Sequence, residues 1–144
     1  MARQEKIVVD ASVAFKWYVV EDGTGEALGM LDDYQRGIID IASVSLMPFE
    51  VLNALRYAPD TSIMDLQKVA KSLDKLCLDL RQLEGELSLR AVENSLRYGI
   101  TVYDSSYLSL GEIEAVDVYT ADKKLLGKTG DTCLKPLSEY RLSE

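Results

Sequence analysis

Residues 6–17 read KIVVDASVAFKW: an apolar run from Ile7 to Val9 stops at Asp10, and the segment after it takes the apolar spacing of a helix. This is the pattern of a buried strand that delivers an aspartate at its C-terminal tip and turns directly into a helix. Working outward, the alternation repeats. EDGTGEALGMLDDY at 21–34 reads as a short helix despite three glycines, and IIDIASVS at 38–45 as a second strand. Pro48 sits where a first helical turn tolerates it, and Phe49, Leu52 and Leu55 share a face, so Glu50 lies in the first turn of a helix just past a strand end.

PDTS at 59–62 is a turn. Ile63, Leu66, Ala70, Leu73, Cys77 and Leu80 then alternate three-and-four spacing, with Val69, Leu76 and Leu83 widening the stripe. Gly85 separates this helix from a second, ELSLRAVENSLRY, which Arg97 and Gly99 terminate. The pair is expected to form a helical hairpin over 62–98, packed on the core or on a second subunit. ITVYD is a short extended stretch ending at Asp104, which is expected to cap the helix SSYLSLGEIE. VDVYTAD is a β-rich strand ending at Asp122, KKLLGK opens a helix that Gly130 closes, and TCLKPL supplies a last short strand. Strands alternating with helices predict an α/β fold with a parallel sheet, whose ligands bind outside the carboxyl ends of the strands.

Composition narrows the chemistry. The 144 residues suit one domain, 1–144, and 47% hydrophobic with 28% charged content suits a globular one. No stretch approaches the ~20 apolar residues of a membrane span and no leader h-region is visible, so a cytoplasmic protein with no membrane partner is expected. Cys77 and Cys133 lie among aliphatic residues, and buried thiols are expected rather than a disulfide or zinc framework. There is no histidine, which removes imidazole as base, triad member or ligand. Carboxylates abound instead, 24 acids against 16 bases for a net charge of −8. Hard oxygen donors suit Mg²⁺ or Mn²⁺, whereas the overall acidity opposes broad electrostatic binding of nucleic acid.

Asp10, Glu50, Asp104 and Asp122 each fall at a predicted strand end or helix start, so all four are candidates for one crevice. Acids gathered in a cleft repel one another unless cations or protons neutralise them. A divalent ion does so and also supports phosphodiester hydrolysis without histidine, while Lys16, Arg56, Lys123, Lys124 and Lys128 lie near the acids in sequence. Each acid also has a plainer role. Asp104 and Asp122 make good helix caps, Glu50 complements a helix dipole, and Asp10 follows a strand as any loop residue does.

VVDASVAFKW at 8–17, PFEVLNAL at 48–55, YDSSYLSLGE at 103–112 and YTADKKL at 119–125 resemble, in order and spacing, the four signature blocks of PIN-domain nucleases, in particular VapC-type toxins of toxin–antitoxin pairs. The resemblance spans nearly the whole chain. It implies a three-layer α/β/α sandwich with the 62–98 helices as a clip. It also implies that Asp10, Glu50, Asp104 and Asp122 hold Mg²⁺ or Mn²⁺, with Asp10 and Asp104 as direct ligands. Ser12 and Thr120 match supporting hydroxyl positions, and Asn53 a polar position beside the glutamate. The function implied is an endoribonuclease acting on RNA, homodimeric, with a protein antitoxin as partner.

Three other readings compete. GTGEALG at 23–29 is one residue too long for a dinucleotide fingerprint and follows Glu21 and Asp22, where pyrophosphate should approach. A receiver domain is acidic and binds Mg²⁺, but wants an acidic pair at the first strand end, where Asp10 stands alone. A PIN fold serving as a non-catalytic RNA or protein adaptor, or as a housekeeping RNA-processing nuclease, is separated from the toxin reading by metal-dependent cleavage and by the neighbouring gene.

Overall fold

The computed structural model describes residues 4–141. Ile7, Val8 and Val9 are all buried, and successive strand residues point to opposite faces, so β1 (Glu5–Val9) is covered on both sides. It is the central strand of a five-stranded parallel sheet that runs β3 (Asp79–Arg81), β2 (Ile39–Val44), β1, β4 (Val118–Thr120), β5 (Leu134–Pro136). Val8 sets the register, opposite Ala42 on one side and Val118 on the other.

Among the described residues seven helices surround the sheet: α1 (Ala11–Phe15), α2 (Thr24–Gln35), α3 (Met47–Arg56), α4 (Ile63–Leu76), α5 (Gly85–Tyr98), α6 (Val102–Glu114) and α7 (Lys123–Thr129). α6 crosses β1, β2 and β4, and α5 packs along it. α1 packs on α3 and β4, α2 on β2, and α7 on β5. This is the layered α/β architecture that the alternation of strand and helix predicts. Among the described residues no helix is long and apolar enough to cross a membrane.

The helix expected over residues 63–83 ends early. Cys77 turns left-handed at φ +50°, the Tyr34 hydroxyl donates to the Leu76 carbonyl, and the chain enters β3 beside β2. The stripe that runs on through Leu80 is a coincidence of spacing. Edge-strand pairing depends on residues over thirty positions away, which periodicity cannot register. The two helices of the 62–98 region therefore do not form one another's main contact: α4 packs on α3, and α5 on α6. Leu66, Val69, Leu73 and Leu76 face the main core, so the stripe is used internally. As the terminating residue Cys77 is exposed, and Cys133 is half-buried, which corrects the expectation of two buried thiols.

Asp104 is not a cap either. Thr101 caps α6, its hydroxyl accepting the Asp104 N–H at 3.0 Å, and Asp104 sits one turn inside. Its carboxylate meets the Thr101 hydroxyl and feels the charge of Asp122, so it bears on both the helix start and the crevice.

Candidate active site

From β1 the chain passes outward through β2 to β3 on one side, then returns to β4 and β5 on the other. The gap between the ends of β1 and β4 is therefore a topological switch point, where connections leave in opposite directions and open a crevice at the carboxyl edge. Asp10 is the residue after β1, and Asp122 follows β4 by two. Glu50 and Asp104 reach the same edge from the first turns of α3 and α6.

Asp10 is 6% exposed and tightly held. Its Oδ1 accepts from Ser12 Oγ at 2.6 Å and from the Val13 amide at 3.2 Å, and its Oδ2 accepts from Thr120 Oγ1. Those hydroxyls are anchored in turn: Ser12 Oγ accepts the Ala121 N–H at 2.8 Å, and Thr120 Oγ1 the Asp122 N–H at 3.1 Å. The sequence thus places a helix cap, two hydroxyls and two strand ends in one network. Asp122 caps α7 by accepting the Leu125 N–H at 3.1 Å through Oδ1, with Oδ2 unused by the cap. The cap role and a role in the crevice are compatible, because capping occupies one oxygen and fixes the direction of the other.

Burial, opposed by its hydrogen bonds and reinforced by the charge of Asp104, pushes the Asp10 carboxyl up to about 6. Burial also raises Glu50, with the Tyr107 hydrogen bond opposing and Asp104 adding to it. Asp104 is raised by burial and by Asp122, while a hydrogen bond with Thr101 and then the charge of Lys128 work the other way. Asp104 is therefore the hub: each of the other three acids is electrostatically linked to it. As the side chains stand, no three acidic groups among the described residues are gathered closely enough to enclose an ion. The donors are nonetheless all hard carboxylate oxygens, and their shared burden is negative charge held out of water, which is the condition that a hard divalent cation relieves.

Of the cations near the acids in sequence, Lys128 bears on the quartet, through Asp104. Lys16 is nearly buried and held by Glu21 Oε1 at 2.7 Å and the Asp22 carbonyl at 2.6 Å, and Arg56 lies over the Tyr57 ring at 5.2 Å. Asn53, a turn beyond Glu50, is exposed and its side chain makes no hydrogen bond among the described residues.

Sequence reasoning missed Tyr107. It is 2% exposed, its hydroxyl donates to Glu50 Oε1 at 2.7 Å, and it feels the charges of Glu50, Asp10 and Asp104. Burial and those acids hold its proton on far above the usual tyrosine range, so it remains a donor at any working pH. The available signal was its position three residues after Asp104, the spacing that puts two side chains on one helical face. Tyr107→Phe keeps the ring's volume and frees Glu50. Because that hydrogen bond opposes the effect of burial, its loss should raise the Glu50 carboxyl further. Side-chain carboxyl NMR titration of Glu50 checks it, and an unchanged midpoint would remove Tyr107 from the site.

No family model matches the sequence. Ribonuclease VapC3 of Pyrobaculum aerophilum is 27% identical over 127 residues, spanning 85% of this chain and 94% of that protein. Among solved structures, a toxin–antitoxin complex from Klebsiella pneumoniae contains a chain that superposes with a TM-score of 0.69 at 13% identity, over 93% of this chain and 99% of that one. VapBC2 from Rickettsia felis, bound to a DNA fragment from its promoter, gives 0.61 at 12% identity, over 91% and 98%. The likeness is to the same group of proteins that the four sequence blocks resemble, and it covers the whole fold rather than one motif.

Proposed function

We propose that this chain, which has the VapC-type PIN-domain fold, is a metal-dependent endoribonuclease and the toxin of a toxin–antitoxin pair. The observation that carries the reading is the hub at the β1/β4 switch point: four carboxylates linked through Asp104, one of them buried and raised to about 6. Nothing in ordinary packing calls for that concentration of charge at a strand edge. The ribonuclease name of the relative at 27% identity supports RNA as substrate.

Asp10, Glu50, Asp104 and Asp122 would hold Mg²⁺ or Mn²⁺. Such an ion supplies positive charge that neutralises the acids, draws a phosphodiester to them, activates water and stabilises the leaving oxygen. The rest belongs to the chain. Ser12, Thr120 and the Val13 amide fix both oxygens of Asp10, so that acid is presented without reorganisation. Tyr107 orients Glu50, and the α7 cap orients Asp122. Lys128 brings positive charge to the Asp104 side. With no histidine in the chain, proton removal from the attacking water falls to a carboxylate.

The net charge of −8 suits a basic segment of an antitoxin, in keeping with the similar solved structures, which are toxin–antitoxin complexes. Leu89, Val92 and Leu96 form an exposed stripe along α5 that supports a homodimer, and the absence of a spanning helix among the described residues fits cytoplasmic action. Purified protein should cut RNA with Mn²⁺ or Mg²⁺, lose all cleavage in excess chelator, and regain it when the metal is restored. Absence of cleavage with either metal across transfer, ribosomal and messenger RNA would overturn the nuclease reading.

A further inference from the structure

Beside the carboxylates, over the ends of β2 and β3, lies a cavity of about 270 Å³. Leu46, Phe49, Leu87, Val102 and Tyr103 give it apolar walls, and Ser45, Ser106 and Arg81 also line it. Phe49 is 73% exposed and Tyr103 63%, large rings left facing water at the mouth of a site. In a chain of net charge −8 no acid among the described residues lines this cavity, although Glu50 and Asp104 directly follow two residues that do. The charged residue that does line it, Arg81, is held by Asp79 at 2.9 Å and Glu114 at 2.5 Å.

The sequence ties ring and acid together twice. Phe49 immediately precedes Glu50, and Tyr103 immediately precedes Asp104, so in each case the two Cα atoms are about 3.8 Å apart. Successive helical residues point to different sides, while residues three apart share one. On α6, Asp104 and Tyr107 therefore face the quartet, and Tyr103 and Ser106 face the cavity. At the start of α3, Glu50 meets Tyr107, while Phe49 and the preceding cap residue Leu46 line the cavity.

We propose that this cavity is the subsite for the nucleobase adjoining the scissile phosphate, with Phe49 and Tyr103 as its stacking surfaces. The inference rests on the nuclease reading and names the part of the substrate that the quartet itself does not touch. A phosphodiester at the carboxylates carries its base one sugar away, and the cavity is one residue away from two of those carboxylates. Exposed aromatic rings bind unpaired bases by stacking, and such bases are the usual handle for recognition of single-stranded RNA. The volume admits one planar ring system. A partner helix, about 10 Å across with its side chains, does not enter it.

The test uses a short RNA that the wild-type protein cuts in Mn²⁺, the same RNA lacking the base beside the cut, and the variants Phe49→Ala, Phe49→Leu and Tyr103→Ala. Both rings are exposed, so the variants should melt like the wild type. Each alanine variant should raise KM about tenfold with kcat nearly unchanged, the scale of one lost base–aromatic stack. Phe49→Leu, which keeps apolar bulk without a ring, should recover little. Removing the base should raise KM for the wild type by more than either alanine variant does, and by a smaller factor in Phe49→Ala, where only the Tyr103 stack is left to lose. If KM is unchanged in both alanine variants, or if the two losses multiply, the subsite is overturned. It is likewise overturned if the variants alter only the association state. If the wild type cuts no RNA the nuclease reading falls, and 2-aminopurine ribonucleotide fluorescence decides the cavity separately: quenching by the wild type and not by Phe49→Ala upholds base binding, and no quenching by either rejects it.

Discussion

Asp10→Asn is expected to lower RNA cleavage by roughly 10³-fold or more while raising the melting temperature of the metal-free protein. The two effects share one cause. Asp10 is buried, and burial raises its carboxyl to about 6 in the folded chain against 3.8 for the free group. A folded-state value above the unfolded one means that the protonated form favours folding. That contribution is fully present below about pH 4 and is lost as pH rises through about 6. Above that window the ionised, unneutralised carboxylate costs the metal-free fold about 3 kcal/mol, the difference of roughly two pKa units. Asparagine removes the charge and keeps the shape. Its oxygen can still accept from Ser12 and the Val13 amide, and its amide can donate to Thr120 once that hydroxyl turns. In chelator at pH 7.5 the variant should therefore melt higher than the wild type by about 5 °C or more. The wild type should also gain stability between pH 7.5 and pH 5, where the variant's curve is flatter. With millimolar Mn²⁺ the order should reverse, since the cation now stabilises the wild type alone. Calorimetric melts across pH, with and without metal, separate these cases. A variant less stable than the wild type in chelator at neutral pH would show that the Asp10 charge is already compensated within the protein, and the case for a bound cation would lose its physical basis.

The parts of the site that are legible in the sequence are those with local signatures. Asp10 stands out because it interrupts an apolar run that otherwise reads as a strand, and Asp122 because a β-rich segment ends there and a helix begins. Strand-to-helix alternation predicts the parallel sheet, and with it the edge on which ligands bind. What is not legible depends on partners far along the chain. β3 exists because Asp79 to Arg81 can pair with β2, yet its residues continue a helical stripe when read alone. Tyr107 looks like one more apolar position of α6 until Glu50, 57 residues away, is seen at its hydroxyl. Asp104 reads as a cap because aspartate caps well, but Thr101 three residues earlier takes that position. That exchange is informative: with Thr101 as the cap, Asp104 sits three residues inside the helix, where its carboxylate feels the other acids of the crevice as well as the Thr101 hydroxyl.

Gly111→Ala should unfold the protein more readily than any surface change, and the reason lies in how α6 reaches the site. A Cβ at Gly111 would meet Val118 Cγ2 at 2.1 Å, with Cys133 Sγ at 3.0 Å and the Val116 carbonyl at 3.2 Å. Val118 is fully buried in β4 between β1 and β5, so it has nowhere to go. The helix must move instead, and it carries Asp104 and Tyr107. Alanine gains about 1 kcal/mol over glycine in helix propensity. Overpacking of this severity costs about 3 kcal/mol or more, so the clash prevails by about 2 kcal/mol. The melting temperature should fall by about 5 °C or more, with a loss of activity beyond what unfolding alone explains. Gly127 is the control. It lies inside α7, and a methyl group there would meet nothing within 4 Å among the described residues, so Gly127→Ala should stabilise the protein by up to about 1 kcal/mol. Val118→Ala should recover part of the loss in the Gly111→Ala background while destabilising the wild type, a coupling that a double-mutant cycle measures. If Gly111→Ala behaves like Gly127→Ala, the close contact between α6 and β4 is not what sets the height of the helix above the sheet, and the placement of Asp104 over the β1/β4 gap must come from α5 instead.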